Sequence, residues 1–198
     1  MDFIEAVKSR RTIRLFRQEP LGEETLLELV EAGRLAPSAS NIQPLEYVIV
    51  REAELVAAVY EELAWAAYIQ PGRNAAPDQR PTAYIVVLRN RDLEKAHFGI
   101  VDAAAAIENI LLCAWSQGIG SCWLASVRRE NVRRVLGIPE KYTIDSVVAL
   151  GYPDESPQLE AASGSAIEYY LDDNNVLHVP KRSLESIVHL DMFGAKPA

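Results

Sequence analysis

Three arginines crowd into five residues, Arg10, Arg11 and Arg14, with Thr12 between them. A guanidinium fork recognises phosphate or carboxylate in a planar, bidentate way, and a neighbouring hydroxyl adds a neutral hydrogen bond. The chain as a whole is acidic, with a net charge of -8, so this local excess points to an anion. By composition alone it also reads as a solvated patch pairing with surface acids. A second basic pair, Lys181 and Arg182, stands near the other end. Between them lies residues 35–50, LAPSASNIQPLEYVIV. Its first half, with Pro37, Ser38, Ala39, Asn41 and Gln43, offers hydroxyls, amides and backbone N–H groups, as binding loops do. The same residues also make a plain helix-to-strand connector. Trp65, Tyr68 and Trp123 supply flat surfaces. The combination fits a planar anionic ligand: phosphate on arginine, ring system on amides and stacking. It indicates a phosphorylated aromatic cofactor and leaves open which one.

Other chemistries are missing. No GxGxxG follows a strand, and there is no Walker loop and no GxSxG. Ser38 and Ser40 have no evident histidine partner for a Ser-His-Asp arrangement. His97, His178 and His189 are scattered, without metal-ligand spacing. Cys113 and Cys122 form no CxxC pair and no disulfide framework. Cys122, beside Trp123, reads as a buried structural thiol. Asp172 and Asp173 read as surface residues of a polar tail. The acidic balance argues against nucleic acid and against anionic membranes. The N-terminus lacks an apolar signal core, and the longest apolar run, Ile110–Trp115, is too short to span a bilayer. A reducing, cytoplasmic setting is expected.

The elements that must position these groups follow from periodicity. At 198 residues and 49% hydrophobic, the chain is expected to form one domain with a substantial core. Helices are predicted over 2–9, 23–35, 52–67, 102–117 and 128–136, with Gly118 and Gly137 placed to end the last two. Strands are predicted over 46–50, 84–88, within 118–126, and over 143–150. The alanine-rich helix from Asp102 reads as the central one, with a possible role at a subunit interface. Residues 69–82 are a proline-bearing loop. Residues 155–175 read as irregular, and 180–198 as a C-terminal extension with a short amphipathic helix. The order gives an α+β domain with one central sheet and helices on both sides.

Taken in order, SRRTIRLF, APSASNIQP, an apolar helix ending GIGSCWLA, LGIPEKY, VVALGYP and PKRSLESIV resemble the FMN-dependent nitroreductase family over roughly residues 2–193. The resemblance implies a nitroreductase-like fold with a mostly antiparallel central sheet, and an obligate homodimer with FMN at its interface. It implies that NAD(P)H delivers hydride to flavin N5 and that an electron-poor molecule, such as a nitroaromatic or quinone, then takes two electrons in a ping-pong cycle. No side-chain base is required. Arg10, Arg11, Thr12 and Arg14 then look like phosphate and ribityl anchors, with Lys181 and Arg182 as a second clamp. Arg14 is the candidate for charge near the flavin N1–C2 edge. Pro37, Ser38, Ala39, Asn41 and Gln43 look like a loop given to the partner's flavin. Cys122, Trp123, Leu124 and Ala125 look like the strand along the ring. Asn74 aligns with a residue at the flavin edge, and Trp65 and Tyr68 fall to the substrate pocket. Two departures bear on substrate range: Trp123-Leu124-Ala125-Ser126 replaces a Pro-x-Glu-Gly element, and the insertion after the second helix is very short. A flavin-binding or sensor protein without turnover, a dehalogenase, and a flavin-consuming enzyme are the alternatives on the same fold.

Overall fold

Residues Tyr84–Leu88 are apolar without interruption, which suits a strand covered on both faces. In the computed structural model, which describes residues 1–69, 74–94 and 98–196, that run lies within a central strand of this kind. The chain order is α1 (Phe3–Ser9), α2 (Glu23–Arg34), β1 (Leu45–Val50), α3 (Ala53–Tyr60), β2 (Ala83–Asn90), α4 (Phe98–Ser116), β3 (Gly120–Leu124), α5 (Arg129–Leu136), β4 (Tyr142–Gly151), β5 (Gln158–Ala161), β6 (Tyr170–Leu171), β7 (Leu177–Lys181) and α6 (Leu184–Ile187). The chain divides into two compact units, Met1–Trp65 with Asn74–Glu155, and Ala66–Arg73 with Ser156–Ala198.

The first unit holds a four-stranded sheet in the order β1-β2-β4-β3, antiparallel throughout. Alternation along β2 sends Tyr84, Val86 and Leu88 into one core with Val56, Val59 and Tyr60 of α3 and Val132 of α5. Ile85 and Val87 enter the other core, with Leu26 and Leu29 of α2 and Ala103, Ile107, Ile110 and Ala114 of α4. Helices therefore cover both faces of the sheet, as the sequence pattern predicts. By length and composition alone α4 could cross a membrane. Its buried stripe, Gly99, Ala103, Ala106, Ile110 and Ala114, recurs at helical spacing and packs in the core of the sheet.

Two helices differ from expectation. The one predicted over 52–67 stops at Tyr60. Beyond it Glu62 accepts hydrogen bonds from Arg128 (2.7 Å) and Asn131 (2.8 Å), and Leu63 bridges Val127. These contacts with the α5 region outcompete another helical turn. Conversely, α4 begins at Phe98, so Asp102 lies inside the helix and is buried. His97 lies outside the described residues.

The second unit contains a sheet that the sequence reading lacked. Residues 155–175 are not irregular throughout: β5 and β6 flank β7, in the order β5-β7-β6, with β5 parallel and β6 antiparallel to it. In its middle, His178 stacks on Tyr170 (4.9 Å). Its two ring nitrogens face Glu160 at 3.1 Å and Asp172 at 3.3 Å. Asp172 also accepts from the N–H groups of Asn174 and Val176, so it is a turn-forming residue. Strands of two to five residues carry too little periodicity to be read from sequence.

Candidate active site

The arginine segment is positioned by burying the residues between its charges. Ile13 and Phe16 are fully buried, while Arg10, Thr12 and Arg14 remain partly exposed. Thr12 forms a parallel bridge with Ser121, and the Ile13 N–H donates to the Ser121 carbonyl at 2.9 Å. Phe16 bridges Pro153. The segment therefore runs along the outer edge of β3 and the end of β4. Two glycines make room for it. A Cβ on Gly120 would lie 2.9 Å from Ile13, and one on Gly151 would lie 2.9 Å from Phe16. Glu155 holds the backbone from the other side, accepting from the N–H groups of Arg14 and of Leu15. The polar stretch after β4 carried no signal that Glu155 would do this.

The three arginines separate in role. Arg11 donates to the carbonyls of Lys8 and Arg10, so its guanidinium is engaged by the backbone at the end of α1. Burial, then the neighbouring Arg10, lowers its pKa. The Arg10 guanidinium makes no hydrogen bond or ion pair among the described residues and is available to an anion. Arg14 and Arg10 both lie within electrostatic range of Cys122. That thiol is buried, and burial pushes its pKa up to about 11. It is therefore protonated and unreactive at neutral pH.

Strand β3 presents backbone at this place. Ser121 turns its carbonyl outward to Ile13, and the two-residue period then turns the N–H and C=O of Trp123 to the same open edge. Cys122 and Leu124 point into the core with α3 and α5. Trp123 is 41% exposed, and Ala125 is exposed just past the strand. The Ser121 hydroxyl is buried without a hydrogen-bond partner among the described residues.

The loop after α2 is built under strain. Ser40, Asn41 and Gln43 have φ of +53°, +56° and +54°, values that non-glycine residues adopt only when held. The Ala39 N–H donates to Asp102 at 2.9 Å, the Asn41 N–H to the Ser38 carbonyl at 2.9 Å, and the Gln43 N–H to Ser38 Oγ at 3.0 Å. Pro37, Asn41 and Gln43 are exposed, Ser38 and Ala39 half-buried. Asp102 is the residue that sequence reasoning missed. Its signal was an acid inside an otherwise apolar helix, misread as a helix start.

The remaining predicted residues are dispersed. Trp65 is buried and stacks on Tyr60 at 5.4 Å, so it does not offer a free flat surface. Asn74 is exposed. Tyr68, in the second unit, is exposed and meets Tyr169 edge-on at 5.1 Å. Lys181 ends β7 and Arg182 follows it, both exposed. No group of three or more His, Cys, Asp and Glu suited to a metal ion occurs among the described residues.

The sequence profile of the Nitroreductase family matches residues 7–152. The chain belongs to the Nitroreductase family. It is 36% identical over 165 residues to a candidate NADH dehydrogenase/NAD(P)H nitroreductase of Archaeoglobus fulgidus, covering 80% of this chain and 90% of that one. Among solved structures, an FMN-dependent nitroreductase from Clostridium difficile R20291 superposes with a TM-score of 0.69 at 22% identity, over 96% of this chain and 99% of that one. A nitroreductase crystallised in complex with FMN, from Desulfovibrio desulfuricans, gives 0.68 at 22% identity, over 83% and 94%. At these identities the structural likeness is one of fold. The matched span of the family profile contains the arginine segment, the strained loop and β3, and ends one residue past β4.

Proposed function

We propose that this member of the Nitroreductase family is an FMN-dependent NAD(P)H oxidoreductase acting on small electron-poor molecules such as nitroaromatics or quinones. The observation that carries this reading is the arginine segment laid along β3. It sets the unengaged Arg10 guanidinium, Thr12 and Arg14 beside the outward N–H and C=O of Trp123. Arg10 and Arg14 suit a phosphate, and an open strand edge suits the polar rim of a flat heterocycle. The residues present thus fit FMN, which when bound would accept hydride and pass two electrons on. The chain's own part is to bind and orient. Arg10 and Thr12 hold the phosphate end, Arg14 supplies positive charge, and Trp123 aligns the ring. Lys181 and Arg182 keep the phosphate-binding role that the resemblance gives them. The protonated Cys122 thiol takes no part as nucleophile.

In this reading the working form is a homodimer in which the 37–43 loop reaches the partner's flavin. Exposed apolar side chains on α1 and α4, namely Phe3, Ile4, Val7, Ile100 and Val101, support such an interface.

The test is the visible spectrum of the purified protein, followed by anaerobic NAD(P)H. Oxidised-flavin bands that bleach on adding the nicotinamide are the expected result. No flavin bands after FMN addition, or a flavin that stays oxidised, overturns the reading. Arg10→Ala and Arg182→Ala should each weaken FMN binding by about 1.5–3 kcal/mol, the worth of one charge-assisted bond.

A further inference from the structure

A concave site lies on the first unit, formed by residues that the flavin reading does not use. It is a cleft of about 350 Å³ between α3 and residues 77–82, at the lower end of small-molecule sites. Val56, Ala57 and Tyr60 of α3 form one wall, and Pro20, Pro77 and Pro81 face them. Proline fixes its own φ, so these walls are pre-formed.

The charge of the cleft is opposite to that of the protein. Its lining includes Arg51 and Arg80 and no aspartate or glutamate, in a chain of net charge -8. The Arg80 guanidinium stacks on the Tyr60 ring at 4.0 Å, which orients its planar fork. Gln18 donates to the Arg80 carbonyl at 2.8 Å and pins the loop. Each arginine has one exposed acid beside it: Glu23 at 2.9 Å from Arg51, and Glu61 at 3.1 Å from Arg80. Exposed ion pairs of this kind are weak and exchange readily with another carboxylate. Two polar atoms of the cleft residues, Arg80 Nε and Thr82 Oγ1, have no hydrogen-bond partner among the described residues. Apolar walls with a cationic fork at one end match a flat apolar body carrying one carboxylate. A fully hydrated inorganic anion would leave the walls unmatched.

We propose that this cleft binds a small aromatic carboxylate, its acid group on Arg80 and its ring between Val56 and Ala57 of α3 and the prolines. The test titrates the FMN-loaded full chain with benzoate and with its neutral analogue benzamide. Calorimetry reads the affinity, and tryptophan fluorescence reads the site through Trp65, which stacks on Tyr60. Benzoate should bind at least tenfold more tightly than benzamide, and Arg80→Gln should remove that preference. Ala57→Phe, a change at an exposed helical position, should fill the cleft and abolish binding with the melting temperature and flavin spectrum unchanged. Equal affinity for benzoate and benzamide, or benzoate binding that survives Ala57→Phe, overturns the proposal. Benzoate bound over the flavin instead would shift the visible spectrum and persist in Ala57→Phe. A chain that takes up no FMN would sink the oxidoreductase reading, while the same titration on the flavin-free chain would still decide the cleft.

Discussion

Replacing Asp102 with alanine should loosen the 38–43 loop and, with it, flavin binding. The loop holds three non-glycine residues at positive φ, each costing about 1–3 kcal/mol. It is held by the Ser38 contacts to the N–H groups of Asn41 and Gln43 and, from outside the loop, by the Ala39 N–H tied to the buried Asp102 carboxylate at 2.9 Å. A hydrogen bond to a carboxylate contributes about 1.5–3 kcal/mol. In a domain of this size a loss of that order lowers the melting temperature by about 3–12 °C. If the loop contacts flavin, the same energy appears as a decrease in FMN affinity of about 10- to 150-fold. Asp102→Asn keeps an acceptor oxygen at the same place and should recover most of both effects. Thermal melting and FMN titration by flavin fluorescence measure the two quantities. An Asp102→Ala protein with wild-type melting and wild-type FMN affinity would refute the anchor, as would an asparagine variant no better than the alanine one.

Other outcomes follow from the same geometry. Gly120→Ala forces a Cβ to within 2.9 Å of Ile13, whose nearest atoms are on and next to its own Cβ. The arginine segment must move, so stability should fall by about 1–3 kcal/mol, read from denaturant unfolding; a neutral result would mean that the segment is not seated against β3. Cys122, protonated and buried, should resist alkylation by iodoacetamide in the folded protein and react on unfolding, as peptide mass analysis would report. Rapid labelling of the native protein would contradict that. Asp172 has its pKa lowered from 3.8, chiefly by the Val176 N–H and also by His178 and the Asn174 N–H. A carboxyl depressed in the folded state stabilises above its unfolded pKa and loses that contribution as pH falls through the folded value. Acid should therefore loosen the β5-β7-β6 sheet below about pH 4. Asp172→Asn should flatten this dependence, with hydrogen exchange of Val176 as the probe.

The order of helices and strands in the first unit was legible because its signals are local. Apolar residues at 3.6-residue spacing mark α2 and α4, and the unbroken run in β2 marks a strand covered on both faces. The arginine segment and the 37–43 loop were likewise visible as residue types in a spacing. The length of α3 was not visible, since Glu62 and Leu63 leave the helix for partners more than sixty residues away. The β5-β7-β6 sheet was hidden because its strands, of two to five residues, are too short to show a period, and β5 pairs with β7 only across the β6 that intervenes in the chain.

For the candidate site the division is sharper. By itself the sequence determined that three guanidiniums and a hydroxyl lie within five residues, and that the loop after α2 is small and polar. Only the tertiary structure decided which of these groups can meet a ligand. Arg11 is engaged at the end of α1 while Arg10 is left available, because the chain turns there. Trp65 is buried, because Tyr60 stacks on it. The strained loop is held, because α4 brings Asp102 to Ala39 across more than sixty residues. Residue type and spacing set what chemistry is available. Which donors and acceptors are already satisfied depends on contacts between distant segments, and those exist only in the fold.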